Sequence, residues 1–382
     1  MSVEDAIRSK RGTSTKWMRY PLDVLPAWIA DMDLGIAPVI AQELIERIDN
    51  GDLGYPCAQV ESRLIDAFSD RYLERFNTPL DPALGIVSTD VVQSIVIALM
   101  TLTKPNDGVI VQTPIYPPFL QSVNDTGRRL RENPLVQTDK GWEMNFDELD
   151  RLAGEPDTSL LLLCSPHNPT GRVFTQTELV RVAEICSRHE VLVVADEIHC
   201  DIVFEPSYHI PFASISPEFA ARVVTLTSAT KSFNIAGLRC SVVHFGSTKL
   251  KDRYESINPH LRGSVSTPSM LAATAAWAKG DNWLKSTLAL LRENRDSLTG
   301  FVLESGLGLK YSPPQGTYLA WLDFRETKAA TSPQEFLLSE AKVALSPGPD
   351  FGQPGIGWAR LNFATKPEIL SEILERIGTA LS

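Results

Sequence analysis

Four short stretches of this chain, Leu160–Cys164, Val191–Ala195, Val223–Thr227 and Ser241–Phe245, are mainly apolar and do not alternate with polar residues in strand fashion. A strand with one wet face alternates apolar and polar residues, so a run without alternation has to be covered on both sides, as in parallel sheets flanked by helices. Between the first two runs lies Thr175–His189, whose apolar residues recur at the helical period. Strands alternating with helices imply right-handed parallel crossovers, and the middle of the chain is read as a doubly wound α/β domain. Gly108–Thr113 reads as a further strand, and Val39–Asp49 and Val60–Phe76 as helices that precede it.

From Pro268 onward the pattern changes. Long helical periods (Ser269–Ala278, Asn282–Leu298) precede a polar strand Thr317–Asp323, a helix Pro333–Lys342 and a terminal helix Pro367–Leu381. This predicts three units: an N-terminal arm (1–44) packing with the small domain, a large α/β domain (45–275), and a smaller α+β domain (276–382).

Composition narrows the partners. A length of 382 residues at 43% hydrophobic content supports a large buried core. The net charge is −11 without a basic cluster, which argues against nucleic acid. Five cysteines, odd in number and without a C-x-x-C pair, suit free thiols in a reducing compartment. The N-terminus lacks a basic region followed by an apolar stretch, and the longest apolar runs fall well short of the roughly eighteen residues of a membrane span. A soluble cytoplasmic protein is expected. The six histidines form no cluster, so no catalytic metal is expected.

In a doubly wound sheet, ligands bind beyond the carboxyl ends of the strands. Those ends are polar here: Ser165-Pro-His-Asn-Pro-Thr-Gly171, then Asp196-Glu-Ile-His199, then Ser228-Ala-Thr-Lys231, with Arg239 following. Singly, each reads as a turn or a helix cap. Together they place an amine nucleophile, a carboxylate, a neutral hydrogen-bond donor and an anion clamp on one rim. Pyridoxal 5'-phosphate requires that set: an amine for its aldehyde, a carboxylate for its ring nitrogen, and donors for its phosphate.

The chain resembles the fold-type I, aspartate-aminotransferase-like class I/II family over essentially its whole length, and more narrowly the cystathionine β-lyase or C–S lyase branch (MalY/PatB type). The stretches that carry the resemblance are Lys10–Trp17, Leu25–Asp33, Gly54-Tyr-Pro56, Thr113–Phe119, Ser165–Gly171, Asp196–His199, Ser228–Arg239, Gly316–Asp323, Pro347–Gly352 and Arg360–Phe363. It implies Lys231 as the Schiff-base lysine and Asp196 as the partner of the ring nitrogen, ionised with cofactor bound because the pyridinium charge opposes the effect of burial. Asn168 is implied at the phenolic oxygen, with Asn168-Pro169 a candidate cis peptide, and Tyr116 on the ring face. Ser228, Arg239 and the amides of Val91 and Val92 are implied at the phosphate. The wider family often has a small residue near Asp90, and a carboxylate beside a phosphate is repelled, so the Asp90 side chain is expected to turn away or cap the helix. Tyr55 reaches the phosphate from a second subunit in related dimers. Arg360 resembles the family's clamp for the substrate carboxylate, with a backbone contact from Ala30 nearby and His199 near the ring.

The activity implied is α,β-elimination on cystathionine or another cysteine thioether, giving a thiol, pyruvate and ammonia, in a homodimer with shared active sites. Transamination shares the early chemistry and is the alternative; a regulatory or binding role is weaker, since the whole catalytic set is present.

Overall fold

The computed structural model describes residues 14–139 and 141–382. The Lys10–Thr13 part of the first quoted stretch, and residues 1–13 of the predicted arm, lie outside the described residues.

A seven-stranded sheet forms the centre, in the order β1 (Gly85–Ser88), β7 (Ser241–Phe245), β6 (Val223–Thr227), β5 (Leu192–Asp196), β4 (Thr158–Cys164), β2 (Gly108–Val111), β3 (Arg129–Glu132). The pairs from β6 to β3 are parallel. The continuous apolar runs serve two cores at once. Leu161, Leu163, Val193 and Ala195 face a core completed by Leu179 and Val182 of helix α5 (Gln176–Arg188). Leu160, Leu162, Val194 and Leu226 face the opposite core, with Ile95, Ala98 and Leu99 of helix α3 (Val91–Leu102). Each fully buried aliphatic side chain contributes about 1.5–3 kcal/mol. Helix α5 starts with a capping box, in which the Thr175 hydroxyl accepts from the Glu178 amide and the Glu178 carboxylate accepts from the Thr175 amide.

One strand departs from the expected direction. β7 was read into the parallel series, yet it runs antiparallel to both β6 and β1. A parallel return needs a helix that travels back along the sheet. The segment from Ser228 to Cys240 is instead spent at the carboxyl rim, on helix α6 (Ala229–Ser232) and a tight turn at Ala236–Leu238, so the chain re-enters the sheet from that rim.

The C-terminal part builds a four-stranded antiparallel sheet in the order β8 (Lys310–Tyr311), β9 (Leu319–Asp323), β11 (Trp358–Asn362), β10 (Ser346–Pro347). The strand expected as polar, β9, is buried throughout. Leu319, Ala320 and Leu322 join the core beneath helix α9 (Pro367–Leu381), whereas Trp321 turns the other way and stacks on Trp358 at 5.6 Å. The expected helix Pro333–Lys342 is one α-helical turn, Pro333–Phe336, continued by a wider turn over Leu337–Ala341.

Leu25–Pro26 pairs in parallel with Val343–Ala344, and the buried Asp33 carboxylate takes the Lys16 ammonium at 2.7 Å and the Trp17 indole N–H at 2.6 Å. Trp17, Leu25, Ala27 and Met32 thereby enter the C-terminal core. Helix α1 (Pro38–Asp49) packs instead against α7 (Thr267–Lys279), as does α2 (Ala58–Phe76), and α8 (Asp281–Glu304) has Leu284 in that cluster and Leu291 and Leu298 in the C-terminal core. The expected divisions at 44/45 and 275/276 fall inside α1 and α7.

Two substitutions separate burial from capping. Leu161→Ala removes a wholly buried side chain and is expected to cost about 2–5 kcal/mol, against about 1 kcal/mol for Thr175→Ala at the exposed cap. Urea midpoints followed by far-UV circular dichroism check the order; equal shifts would contradict burial of β4 on both faces.

Candidate active site

Strand order decides what meets at the rim. β6, β5 and β4 are neighbours, and the register aligns Cys164 with Asp196 and Asp196 with Leu226, so the residues that follow them emerge side by side. β7 begins beside the end of β1, with Ser241 opposite Ser88, which sets Arg239 against the start of α3. The C-terminal sheet and the N-terminal segment complete the wall. A cavity of about 980 Å³ results, lined by Ala30, Val91, Val92, Tyr116, Asn168, Asp196, His199, Ser228, Lys231, Arg239 and Arg360. Of the site residues expected from sequence, Tyr55 alone lies elsewhere: it is fully exposed and lines a separate depression of about 480 Å³ with Arg47, Arg63 and Thr267.

Lys231 sits at the end of α6, and its amine donates to the Ala30 carbonyl at 2.7 Å, an oxygen that also accepts from the Tyr318 hydroxyl at 3.1 Å. Burial disfavours the ammonium, with Arg360 adding to the effect and Asp31 and Asp196 opposing it, and the pKa falls to about 8. Helix α6 is held from below by the buried Asp201, which accepts from Ser232 at 3.2 Å and is paired with the buried Arg71.

Asp196 ends β5. Its carboxylate accepts from the Ile198 amide at 3.0 Å, and burial above all raises its pKa to about 7, with Glu197 contributing and Lys231 opposing. His199 is buried, its Nδ1 has no hydrogen-bond partner among the described residues, and desolvation followed by the Lys231 and Arg360 charges lowers its pKa to about 3, so it is neutral.

Asn168 lies in the loop after β4, where Asn168-Pro169 is cis, as is Ser165-Pro166. The loop closes on Gly171, at φ +68° and packed so closely on Pro314 that a Cβ has no room. The Asn168 carbonyl accepts from the Tyr116 amide at 3.1 Å, and its Oδ1 accepts from Arg360 at 2.9 Å.

Arg360, on β11, has only neutral partners among the described residues: Asn168, the Trp28 carbonyl at 3.0 Å and Ser346 at 3.1 Å, with its guanidinium carbon 4.9 Å from the centre of the Phe351 ring. No described acid is within ion-pair distance, its Nε is unpartnered, and burial lowers its pKa to about 10. A buried guanidinium without an anion is costly unless something supplies one.

At the anion end Asp90 takes the second of its two expected arrangements and caps α3, its Oδ1 accepting from the Gln93 amide at 2.8 Å, while Oδ2 pairs with Arg239, a contact not expected from sequence. Ser228 caps α6, accepting from the Thr230 amide at 3.1 Å, while its hydroxyl donates to the Cys240 carbonyl. Sequence reasoning passed over Tyr318 and Ser346, which hold the lysine's acceptor and the arginine. Both lie in or beside stretches already quoted for the resemblance.

The donor set fits pyridoxal phosphate. A desolvated amine suits its aldehyde, a buried carboxylate with no cation paired to it among the described residues suits its ring nitrogen, and the α3 amides with Arg239 suit its phosphate. The family model described as aminotransferase class I and II matches residues 29–377. The chain belongs to the class I and II aminotransferase family.

Within that family it is 34% identical to the cystathionine beta-lyase PatB of Bacillus subtilis (strain 168), over 94% of this chain and 93% of the relative. It is 33% identical to the cystathionine beta-lyase of Corynebacterium glutamicum, over 97% and 98%. The fold matches the crystal structure of cystalysin from Treponema denticola, which contains pyridoxal 5'-phosphate, with a TM-score of 0.93 and 28% identity over 97% of this chain and 96% of that one.

The raised pKa of Asp196 has a consequence for stability without cofactor. Its folded pKa, about 7, exceeds the ordinary aspartate value of 3.8, so the folded chain is penalised as pH rises from about 4 to 7 and the penalty is constant above that. In cofactor-free protein, Asp196→Asn is expected to raise the melting temperature by a few degrees at pH 8 and to change it little at pH 4, measured by differential scanning fluorimetry. A gain of the same size at both pH values would contradict the shift.

Proposed function

We propose that this chain is a pyridoxal-phosphate-dependent carbon–sulfur β-lyase that cleaves cystathionine or other cysteine thioethers to a thiol, pyruvate and ammonia. What carries the reading is an enclosed lysine amine of lowered pKa sharing one cavity with a buried arginine that has no counter-ion among the described residues, in a chain whose near-full-length relatives are named cystathionine β-lyases.

Lys231 would hold the cofactor by its aldehyde carbon, Asp196 the ring nitrogen, Asn168 the ring oxygen, Tyr116 the ring face with His199 near the ring, and Val91, Val92, Ser228 and Arg239 the phosphate. Pyridoxal phosphate, when bound, supplies an electron sink conjugated with the carbon beside the substrate amine. Arg360 takes the α-carboxylate in its two-pronged grip and fixes the amino-acid end whichever thiol is attached. Lys231, its amine free, takes the proton from Cα. The Cβ–S bond then breaks with its electron pair on sulfur, and the Lys231 ammonium, having taken the Cα proton, can return it to the departing thiolate. Water balances the reaction: thioether amino acid plus water gives thiol, pyruvate and ammonium.

The reading includes a division into arm (1–44), cofactor domain (45–275) and small domain (276–382), the outer two bringing Ala30 and Arg360 to the rim. It also includes a cytoplasmic homodimer. Five free thiols and the lack of any described helix long and apolar enough to cross a membrane suit that compartment. The full exposure of Tyr55, away from the cavity of its own chain, suits delivery of its hydroxyl to the phosphate of a second copy.

With L-cystathionine or a panel of S-substituted cysteines, thiol, pyruvate and ammonia are expected in equal amounts without added keto acid. Turnover that appears only when a keto acid is supplied replaces this reading with transamination. Borohydride reduction of the yellow protein is expected to fix the pyridoxyl group on the Lys231 peptide, located by mass spectrometry. Arg360→Ala is expected to lower kcat/KM by at least about a hundredfold for every thioether, since a charge-assisted pair and the orientation it gives are both lost. Light scattering checks the assembly: an active monomer rejects the dimer, and Tyr55→Phe is expected to weaken cofactor retention by about tenfold or more.

A further inference from the structure

The phosphate end of the cavity already contains an anion belonging to the chain. Asp90 stands at the N-cap of α3 in extended conformation, with Oδ1 on the Gln93 amide at 2.8 Å and Oδ2 on the Arg239 guanidinium. A helix N-terminus and an arginine are the two donors that a bound phosphate would use, and one carboxylate engages both. Arg239 is 69% exposed, follows a short turn at φ 48°, and has no other ion-pair partner among the described residues. The side-chain charges of this corner therefore cancel, leaving the helix terminus as its net attraction for an anion.

We infer that Asp90 is a built-in competitor for the cofactor phosphate, a carboxylate that shares Arg239 and the start of α3 with the incoming group and weakens its retention. The inference rests on the reading that this cavity holds pyridoxal phosphate. A phosphate monoester carries between one and two negative charges at neutral pH, so it either displaces Asp90 from Arg239 or binds beside a like charge. Both routes reduce affinity. The amides of Val91 and Val92 remain available, because Asp90 accepts from Gln93, one turn position further on. The competition therefore lowers phosphate affinity without closing the subsite.

Asp90→Asn separates charge from structure. Asparagine caps helices about as well as aspartate and keeps an acceptor for the Gln93 amide, while the negative charge disappears. Full-length wild-type and variant proteins, freed of cofactor, are titrated with pyridoxal phosphate and with pyridoxal, which lacks the phosphate, and loss of cofactor from the loaded proteins is timed on dilution. The variant is expected to bind pyridoxal phosphate about tenfold more tightly and release it more slowly. Its affinity for pyridoxal should be unchanged, and inorganic phosphate should compete at lower concentration than in wild type. Equal or weaker binding of pyridoxal phosphate by the variant overturns the inference, as does an equal gain for pyridoxal, which would mark a general change in the cavity. If Asp90→Asn does not fold, Asp90→Ser, which keeps a capping oxygen, is read in the same way. Wild-type protein that takes up no pyridoxal phosphate overturns this inference together with the proposed function; wild-type protein that binds it and cleaves thioethers, with no tightening in the variant, overturns the role of Asp90 alone.

Discussion

Everything at the candidate site depends on the side-by-side parallel pairing of β4, β5 and β6. A parallel sheet brings the carboxyl ends of its strands to one edge, and this register levels Cys164, Asp196 and Leu226 there. The loop bearing Asn168, the Asp196 carboxylate and the helix bearing Lys231 become neighbours because the strands they follow are neighbours. The apolar runs behind them are buried on both faces, so a slip of one residue would carry each strand's side chains into the wrong core and move the three groups off that edge. The packing that stabilises the domain is thus the same packing that aligns the chemistry.

The site is electrically unfinished. Asp196, Lys231 and Arg360 line one cavity, and burial is the largest influence on each, raising the pKa of the acid and lowering those of the bases. Elsewhere in the protein buried charges are paired, as with Lys16 and Asp33 or Arg71 and Asp201. The contrast between satisfied pairs in the framework and unsatisfied ones in the cavity follows from what each is for, since a group that must receive a ligand cannot be fully engaged beforehand.

Much of this was legible in the sequence because it is local. Apolar runs ending in polar groups marked β4, β5 and β6, and a strand end is read from the few residues around it. The reversal of β7 was not legible, since the thirteen residues of its connection could have held a short crossover and nothing local reports that they are spent at the rim. β9 looked polar because Thr317 and Asp323 bracket it, whereas its burial comes from cores on both sides that lie far away in sequence. Asp90 was recognised as an anomaly, but its bond to Arg239 joins residues 149 positions apart and had to be seen. Ser346 and Tyr318 escaped for a related reason: each acts through a single hydrogen bond to a group made important by the fold.

The arm that crosses from one end of the chain to the other also bears on how the protein is made. Trp28, whose carbonyl holds Arg360, stands 332 positions before it, and the Leu25–Pro26 strand has no partner until Val343–Ala344 exists. On a ribosome the central sheet can form while these first residues wait, unpaired, for the last ones to emerge. The cavity's carboxylate-facing wall is therefore the final part to assemble, and a nascent chain cut short before β11 would carry Lys231 and Asp196 on a complete central sheet with no means of gripping an amino acid.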